Sequence, residues 1–365
     1  MMNTRLPNAD TLKAFEADLD ALKADTLQKV GAEDARYIKR IVTIQRTLEA
    51  AGRLCLQFSF FLPLWIIGTL LLAVSKILDN MEIGHNVMHG QYDWMNHPVL
   101  HSSRFEWDNA CAGPNWKKTH NYEHHTYTNI IGKDRDYGYD ALRMDKDGPW
   151  KASDLINLPK FLVISAIFQW SVGFYGLESS RAKDGSIDKE IRKRAVLSFL
   201  QKGGRLILKD YIFFPVLGLL TGSALGVLTG NLIANLLRNL WASAVIFCGH
   251  FPEGVHTFSE ADCENESRGQ WYYRQIAGSC NFSGGHFLHV MSGHLSTQVE
   301  HHLFPDLPAS RYEEIMPRVQ AICKQHGIPY HTASFASQYF SVIRKIFRAS
   351  FPPNGFFGSR KVATA

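Results

Sequence analysis

Sixteen histidines stand in this chain of 365 residues, and most fall in tight clusters between Gly84 and His302. The first cluster is His85-Asn-Val-Met-His89. On a helix, positions i and i+4 lie on one face a turn apart, so both imidazoles can point at one metal ion. The second is His120-Asn-Tyr-Glu-His124-His125. His120 and His124 again share a face, while His125 points about 100° further round the helix, toward a second metal beside the first. The third, Gln298-Val-Glu-His301-His302, runs into Leu-Phe-Pro and repeats the adjacent pair with a glutamine where a third histidine could stand. Any one cluster alone reads as surface polarity or as satisfied core groups. Three together point to a metal centre. Imidazole suits Zn, Cu, Fe and Ni, so the spacing does not choose the metal. There is no H-E-x-x-H, so a zinc protease would lack its general base. A bis-histidine haem would need its ligands at membrane depth, whereas these sit at helix ends in polar sequence.

The elements that position these clusters are apolar. Residues 54–74 run about 20 residues without a charge, enough to cross a hydrocarbon core. Pro63 interrupts them, so they form either one kinked span or the inner part of a tight hairpin reaching back toward Ile41. The helix then continues past residue 80 and carries His85 and His89 just beyond the membrane surface. Residues 211–248 form a second apolar region, with Gly230 and Asn231 as its expected turn and Arg238 as its only charge. Arg238 reads as a structural group facing the bundle interior. If the clusters before and after this region form one site, the chain crosses an even number of times between them. Residues 211–248 supply two crossings, so the short apolar stretch 161–177 is expected to lie in the interface. Residues 178–210 carry nine Lys/Arg, among them Arg181, Lys183 and Arg192, and the 229–232 turn carries none. That bias puts 178–210, and all the clusters with it, on the cytoplasmic side.

Composition narrows the class further. The balance of 39 basic against 34 acidic residues is too even to argue for nucleic acid, and no basic, aromatic-interleaved patch supports that reading. Six cysteines are scattered without a C-x-x-C pair, which fits buried thiols and not a disulfide framework, zinc ribbon or fused rubredoxin. Residues 1–40 read as a charged helical segment, 41–345 as the membrane domain and 346–365 as a tail.

The boxes GHNVMH, HNYEHHTYTNIIGKDRD and QVEHHLFP around a hydrophobic hairpin resemble those of the membrane fatty acid desaturases, and within them the bacterial acyl-CoA desaturase branch. The resemblance covers roughly residues 50–330. It implies an all-α integral membrane fold, with about four transmembrane helices in two hairpins and a cytoplasmic helical cap holding a di-iron site. It also implies two non-haem irons on eight or more imidazoles, O2 as co-substrate, and electrons from a separate flavin or iron–sulfur reductase. Carried over position by position, the ligands are His85, His89, His120, His124, His125, His301 and His302. His250, directly after the last apolar span, stands where the family supplies a further ligand. Gln298 departs from a histidine, as in front-end desaturases. It ligates through its carbonyl, or through a water, or only orients a neighbour. Asp134 and Asp136 are candidate acceptors for ligand N–H groups or parts of a turn. His256 reads as structural, as do His286, His289 and His294, with His294 the strongest exception. His97, His101, His326 and His331 read as surface groups. The expected substrate is a fatty acyl-CoA or lipid acyl chain, and the expected location is the inner membrane with the site facing the cytoplasm. Two other readings stand beside this one. A membrane alkane or acyl hydroxylase would share the centre. A metal transporter would want ligands inside spans that hold almost no His, Asp or Glu.

Overall fold

The computed structural model describes residues 6–178, 185 and 187–353. Helices dominate; the sheet among the described residues is one short parallel pair, Asn281–Ser283 with Thr332–Ser334. The first helix, α1 (Ala9–Lys29), is capped by the Asn8 side chain, which accepts from the Thr11 amide. Leu12, Phe15, Leu19 and Leu22 recur at helical spacing. They bury against Tyr272, Val299, Phe304 and Tyr312, so this charged segment is packed into the core around box three.

α2 (Ala32–Leu56) and α3 (Leu62–Leu78) pack side by side. The chain reverses over 57–61, with Pro63 in the first turn of α3, where a missing N–H costs nothing. The apolar run 54–74 is therefore the inner part of a tight hairpin and not a single kinked span. α3 continues without a break through a π-helical segment, Asp79–His85, so one helix runs over Leu62–Met88.

The second hairpin corrects the expected turn. Lys189–Ile207 continues through the π-helical Leu208–Phe213 and Phe214–Leu217, and the chain reverses at 218–223, where Gly222 takes φ 74°. Ala224–His250 is then one helix of 27 residues with Gly230 and Asn231 inside it. Their roles are packing, not turning. A Cβ on Gly230 would sit 2.6 Å from Leu56, and the Asn231 side chain accepts from Arg53 and donates to the Asp210 carbonyl. Two helices among the described residues are long and apolar enough to cross a membrane, Leu62–Met88 and Ala224–His250. Both hairpin tips are bare and apolar: Phe60 is 72% exposed and Leu220 85%.

Inside the paired hairpins lies a polar seam. Asp210 is 2.7 Å from Arg53 and 2.8 Å from Lys76, and all three are buried. Arg238 is buried as well, donating to Asn80, Asn235 and Asn239. It faces the interior, as expected of a charge at that depth. The stretch 161–177 is not one helix: Asn157–Ala166 and Phe168–Tyr175 meet at a bend of 100°. Of the basic residues in 178–210, Arg181 and Lys183 lie outside the described residues. Further helical segments comprise residues 113–127, Arg268–Ala277, Gln298–Leu303 and Tyr312–Gln325. A closing helix, Phe335–Arg348, lies against Ala224–His250 and Asn157–Ala166. Most of the expected tail, 354–365, lies outside the described residues.

Candidate metal centre

Boxes one and two are each carried on π-helical turns, Asp79–His85 and Lys117–His124. These wider turns are rare and concentrate where side chains must be re-aimed at a site. Box three is a short helix, Gln298–Leu303, launched by a sharp turn at Gly293 and His294. His250 arrives as the last residue of the Ala224–His250 helix.

The donors fall into two sets. Nitrogens of His85, His89, His120 and His301 lie within 4.8 Å of one another, and so do those of His124, His250 and His302. In the second set the Nε2 atoms of His124 and His302 are each 3.2 Å from Nε2 of His250. The Gln298 amide is 2.8 Å from the same atom. A metal with bonds of about 2.1 Å holds imidazole nitrogens roughly 3.0 Å apart at right angles, or 3.4 Å apart in a tetrahedron. The observed spacing falls between these values. His125 is in neither set by this distance, but its ring is 4.7 Å from His89, 4.8 Å from His301 and stacked 4.3 Å from His302.

Hydrogen bonding and burial fit a bound cation. Nε2 of His85, His89 and His120, and both ring nitrogens of His125 and His301, are buried without a partner. Orphaned buried nitrogens on this scale are costly unless something absent from the polypeptide takes their lone pairs. Burial, with the neighbouring imidazoles, pushes His89, His125, His301 and His302 well below the usual imidazole range, leaving them neutral and ready to ligate. Several Nδ1 atoms are tied from behind. His124 is 3.0 Å from Asp134, His120 is 3.2 Å from Asp136, His85 is 3.1 Å from Asn86, and His302 is 2.9 Å from Gln275. Such partners orient the ring and raise its basicity. On His124 burial opposes a charge, but Asp134 and Asp136 outweigh it and raise the imidazole. Asp134 and Asp136 thus act as acceptors within a turn, so both sequence readings apply.

Gln275 was invisible in the sequence, because nothing in RGQWYYRQIA marks it as a neighbour of box three. His294 lies outside both donor sets; its ring pairs with Glu82. His256 contributes its backbone, donating to Ala277 and accepting from Asn129. His286 is exposed, and His326 pairs with Asp18.

A cavity with mostly apolar walls adjoins the donors. His85, His120, His250 and Gln298 edge it, its walls include Met81, Trp116, Tyr139 and Phe168, and Asn80, Gln169, Arg238 and Asn239 are among its polar lining. Trp116 stacks on His120 with ring centroids 4.5 Å apart.

Residues 59–334 match the family model for fatty acid desaturase. The chain belongs to the fatty acid desaturase family. It is thus an oxidoreductase, and the resemblance read from the three boxes holds. It is 45% identical over 349 residues to the NADPH-dependent stearoyl-CoA 9-desaturase of Mycobacterium tuberculosis, covering 95% of this chain and 82% of the relative. It is 24% identical over 324 residues to the sn-1 linoleoyl-lipid 6-desaturase of a Synechocystis strain, covering 83% and 86% of the two chains. A third match, 37% over 82 residues, is to fatty acid desaturase 3 of Bos taurus, covering 22% of this chain and 18% of that one.

Proposed function

We propose that this chain is an O2-dependent fatty acyl-CoA desaturase with two irons, held by His85, His89, His120, His124, His125, His250, His301 and His302 with the Gln298 amide. The observation that carries this reading is the apolar cavity, which meets the edge of both donor sets. A saturated methylene offers side-chain acids, bases and nucleophiles nothing to attack. The chemistry the irons supply when bound is the activation of O2 to an oxidant strong enough to take such hydrogens. In the overall reaction two adjacent CH2 groups become CH=CH, and the two hydrogens they lose leave with O2, two electrons and two protons as two waters. The polypeptide holds the acyl chain beside His85 and His120, keeps water away with Trp116, Tyr139 and Phe168, and fixes the ligand rings through Asp134, Asp136 and Gln275. The 45%-identical relative, named for stearoyl-CoA, supports an acyl-CoA substrate.

The membrane reading follows the same logic. Two hairpins enter the inner membrane and the cap faces the cytoplasm. Supporting this, Lys189, Arg192, Lys193 and Arg194 open the helix that leads down to a tip carrying no charge. These residues can also meet the phosphates of coenzyme A. The test is expression in a host lacking the activity, followed by mass spectrometry of its acyl chains with derivatisation to place the double bond. A new monounsaturated chain at one position is expected. Hydroxylated chains would instead favour the hydroxylase reading, and unchanged chains would refute both.

A further inference from the structure

His294 belongs to neither donor set, yet it is among the most completely enclosed polar groups in the molecule. It is 0% exposed, as is Glu82, whose carboxylate lies 3.0 Å from its Nδ1. On its other edge Nε2 is 3.3 Å from Glu313, a half-exposed residue of the Tyr312–Gln325 helix. Tyr37 of α2 donates to Glu82 at 2.7 Å, and its ring meets the His294 ring edge-on at 6.1 Å. His289 stacks at 6.3 Å from the preceding helix, and His286 reaches Glu313 from the surface at 3.1 Å. These are the titratable groups facing His294 from the elements packed around it.

The backbone beneath is committed to the same place. Gly293 and His294 are consecutive left-handed residues, with φ 67° and 57°. A side chain at Gly293 would drive its Cβ to 2.3 Å from the Met81 carbonyl. The His294 amide donates to the His289 carbonyl at 2.7 Å, and its own carbonyl accepts from Thr297. Asn86, next to His85, donates to the carbonyls of both Glu82 and Gly293. The turn that launches box three is thus fastened to the helix that carries box one. Those two boxes share a donor set, His85 and His89 from one and His301 from the other.

We propose that His294 is a positioning residue: as an imidazolium held between Glu82 and Glu313 it latches box three onto box one, and so sets the separation of the imidazoles that hold the metal. The inference rests on the di-iron reading above. A buried ion pair adds little net stability, but it enforces register, because every other alignment leaves its charges unpaired. Burial works against charge on His294, yet Glu82 and Glu313 outweigh it and raise the ring to about 9. Hydrogen bonding to His294 leads the causes that lower Glu313 to about 2, against its own burial. The sign follows. A raised imidazole gives its full contribution below its ordinary range near 6.5 and loses it as pH climbs through about 9. Protonation of the ligands weakens metal binding in the opposite, acidic direction, while chelator and hydroxide compete gradually harder as pH rises, so the latch is the part of the alkaline release that Glu313→Gln displaces and His294→Gln abolishes.

The test uses the purified, iron-loaded full chain, dialysed against a weak iron chelator across pH 6–10, with iron read by elemental analysis and no substrate present. The parent should keep its iron through neutrality and release it as pH passes about 9. Glu313→Gln, at a half-exposed site the fold can tolerate, should move that release down by roughly one pH unit. His294→Gln should bind iron about 10- to 100-fold more weakly, with no alkaline transition. A Glu313→Gln curve that superimposes on the parent's overturns the proposal, as does a folded His294→Gln that holds iron like the parent. If His294→Gln does not fold, the Glu313→Gln curve decides. Because no substrate is used, a chain that desaturates without this pH linkage loses only the latch. One that shows the linkage but does not desaturate loses only the proposed activity.

Discussion

A buried imidazole nitrogen with no partner is a stronger statement about function than the histidine's place in a motif. His85, His89, His120, His125 and His301 all make it, and the second set makes it through nitrogens crowded to 3.2 Å. Nε2 of His250 faces nitrogens of His124, His302 and Gln298 at once, more than its one hydrogen or lone pair can satisfy, and a cation among the three imidazoles would take all their lone pairs. The ranking of single substitutions follows. His250→Ala removes one of three crowded imidazoles, so it should lose iron together with turnover. His256→Ala removes a ring that stands outside both donor sets, and should keep both. Gln298→His discriminates its alternatives: at a ligand position the imidazole should hold iron as the amide did, while at a packing position the larger ring should lower the melting temperature. Elemental analysis of purified protein, two irons per chain in the parent, reads all three; a His250→Ala protein with two irons would remove His250 from the centre. Position in the boxes made the seven box histidines legible in the sequence, because i, i+4 spacing and adjacency are local. His294 was not legible. Its spacing resembles that of a ligand, and only the fold reveals that its partner is Glu82, 212 residues away.

At the scale of elements, the apolar runs announced two hairpins, and the errors lay in where they turn. Gly-Asn in an apolar stretch is a fair turn signal. It fails at Gly230–Asn231 because a glycine can serve close approach to Leu56 and an asparagine can serve Arg53 and Asp210. The real reversal at 218–223 uses Gly222, one of several glycines nearby, and periodicity offers no way to choose among them. The polar seam was equally hidden, since Arg53 and Asp210 are 157 positions apart. It carries a prediction. Asp210→Leu leaves Arg53 and Lys76 buried without their shared carboxylate, which should cost about 3–5 kcal/mol, visible as a lowered melting temperature in detergent. Replacing all three, with Arg53→Met, Lys76→Met and Asp210→Leu, should recover most of it. A triple variant no better than the single would mean that the seam is tuned to something other than pairing its own charges.

The whole molecule sets two histidine clusters beside an apolar-walled cavity, and the reaction proposed for them leaves the electrons to be accounted for. Each turnover of the proposed reaction needs two. The six cysteines are free, each is buried or half-buried, and none stands in a C-x-x-C pair, so no dithiol is placed to store them. The 365 residues hold no flavin-binding fingerprint, rubredoxin signature or haem-binding pair of histidines at membrane depth. The relative from Mycobacterium tuberculosis is named as NADPH-dependent, and that name is met equally well by a chain that takes electrons from NADPH through a second protein. The expected outcome is therefore specific. Purified chain in detergent or vesicles, given acyl-CoA, O2 and NADPH, should form no more product than the small amount its initial iron reduction state allows. Adding a flavin or iron–sulfur reductase should start continuous turnover. Because docking of such a partner is steered by charge, the rate at limiting reductase should fall as salt rises from about 0.05 to 0.5 M, while the rate with excess dithionite as reductant should not. Product measured by mass spectrometry against time separates the cases, and sustained turnover with NADPH and O2 alone would show that this chain takes electrons from the nucleotide directly.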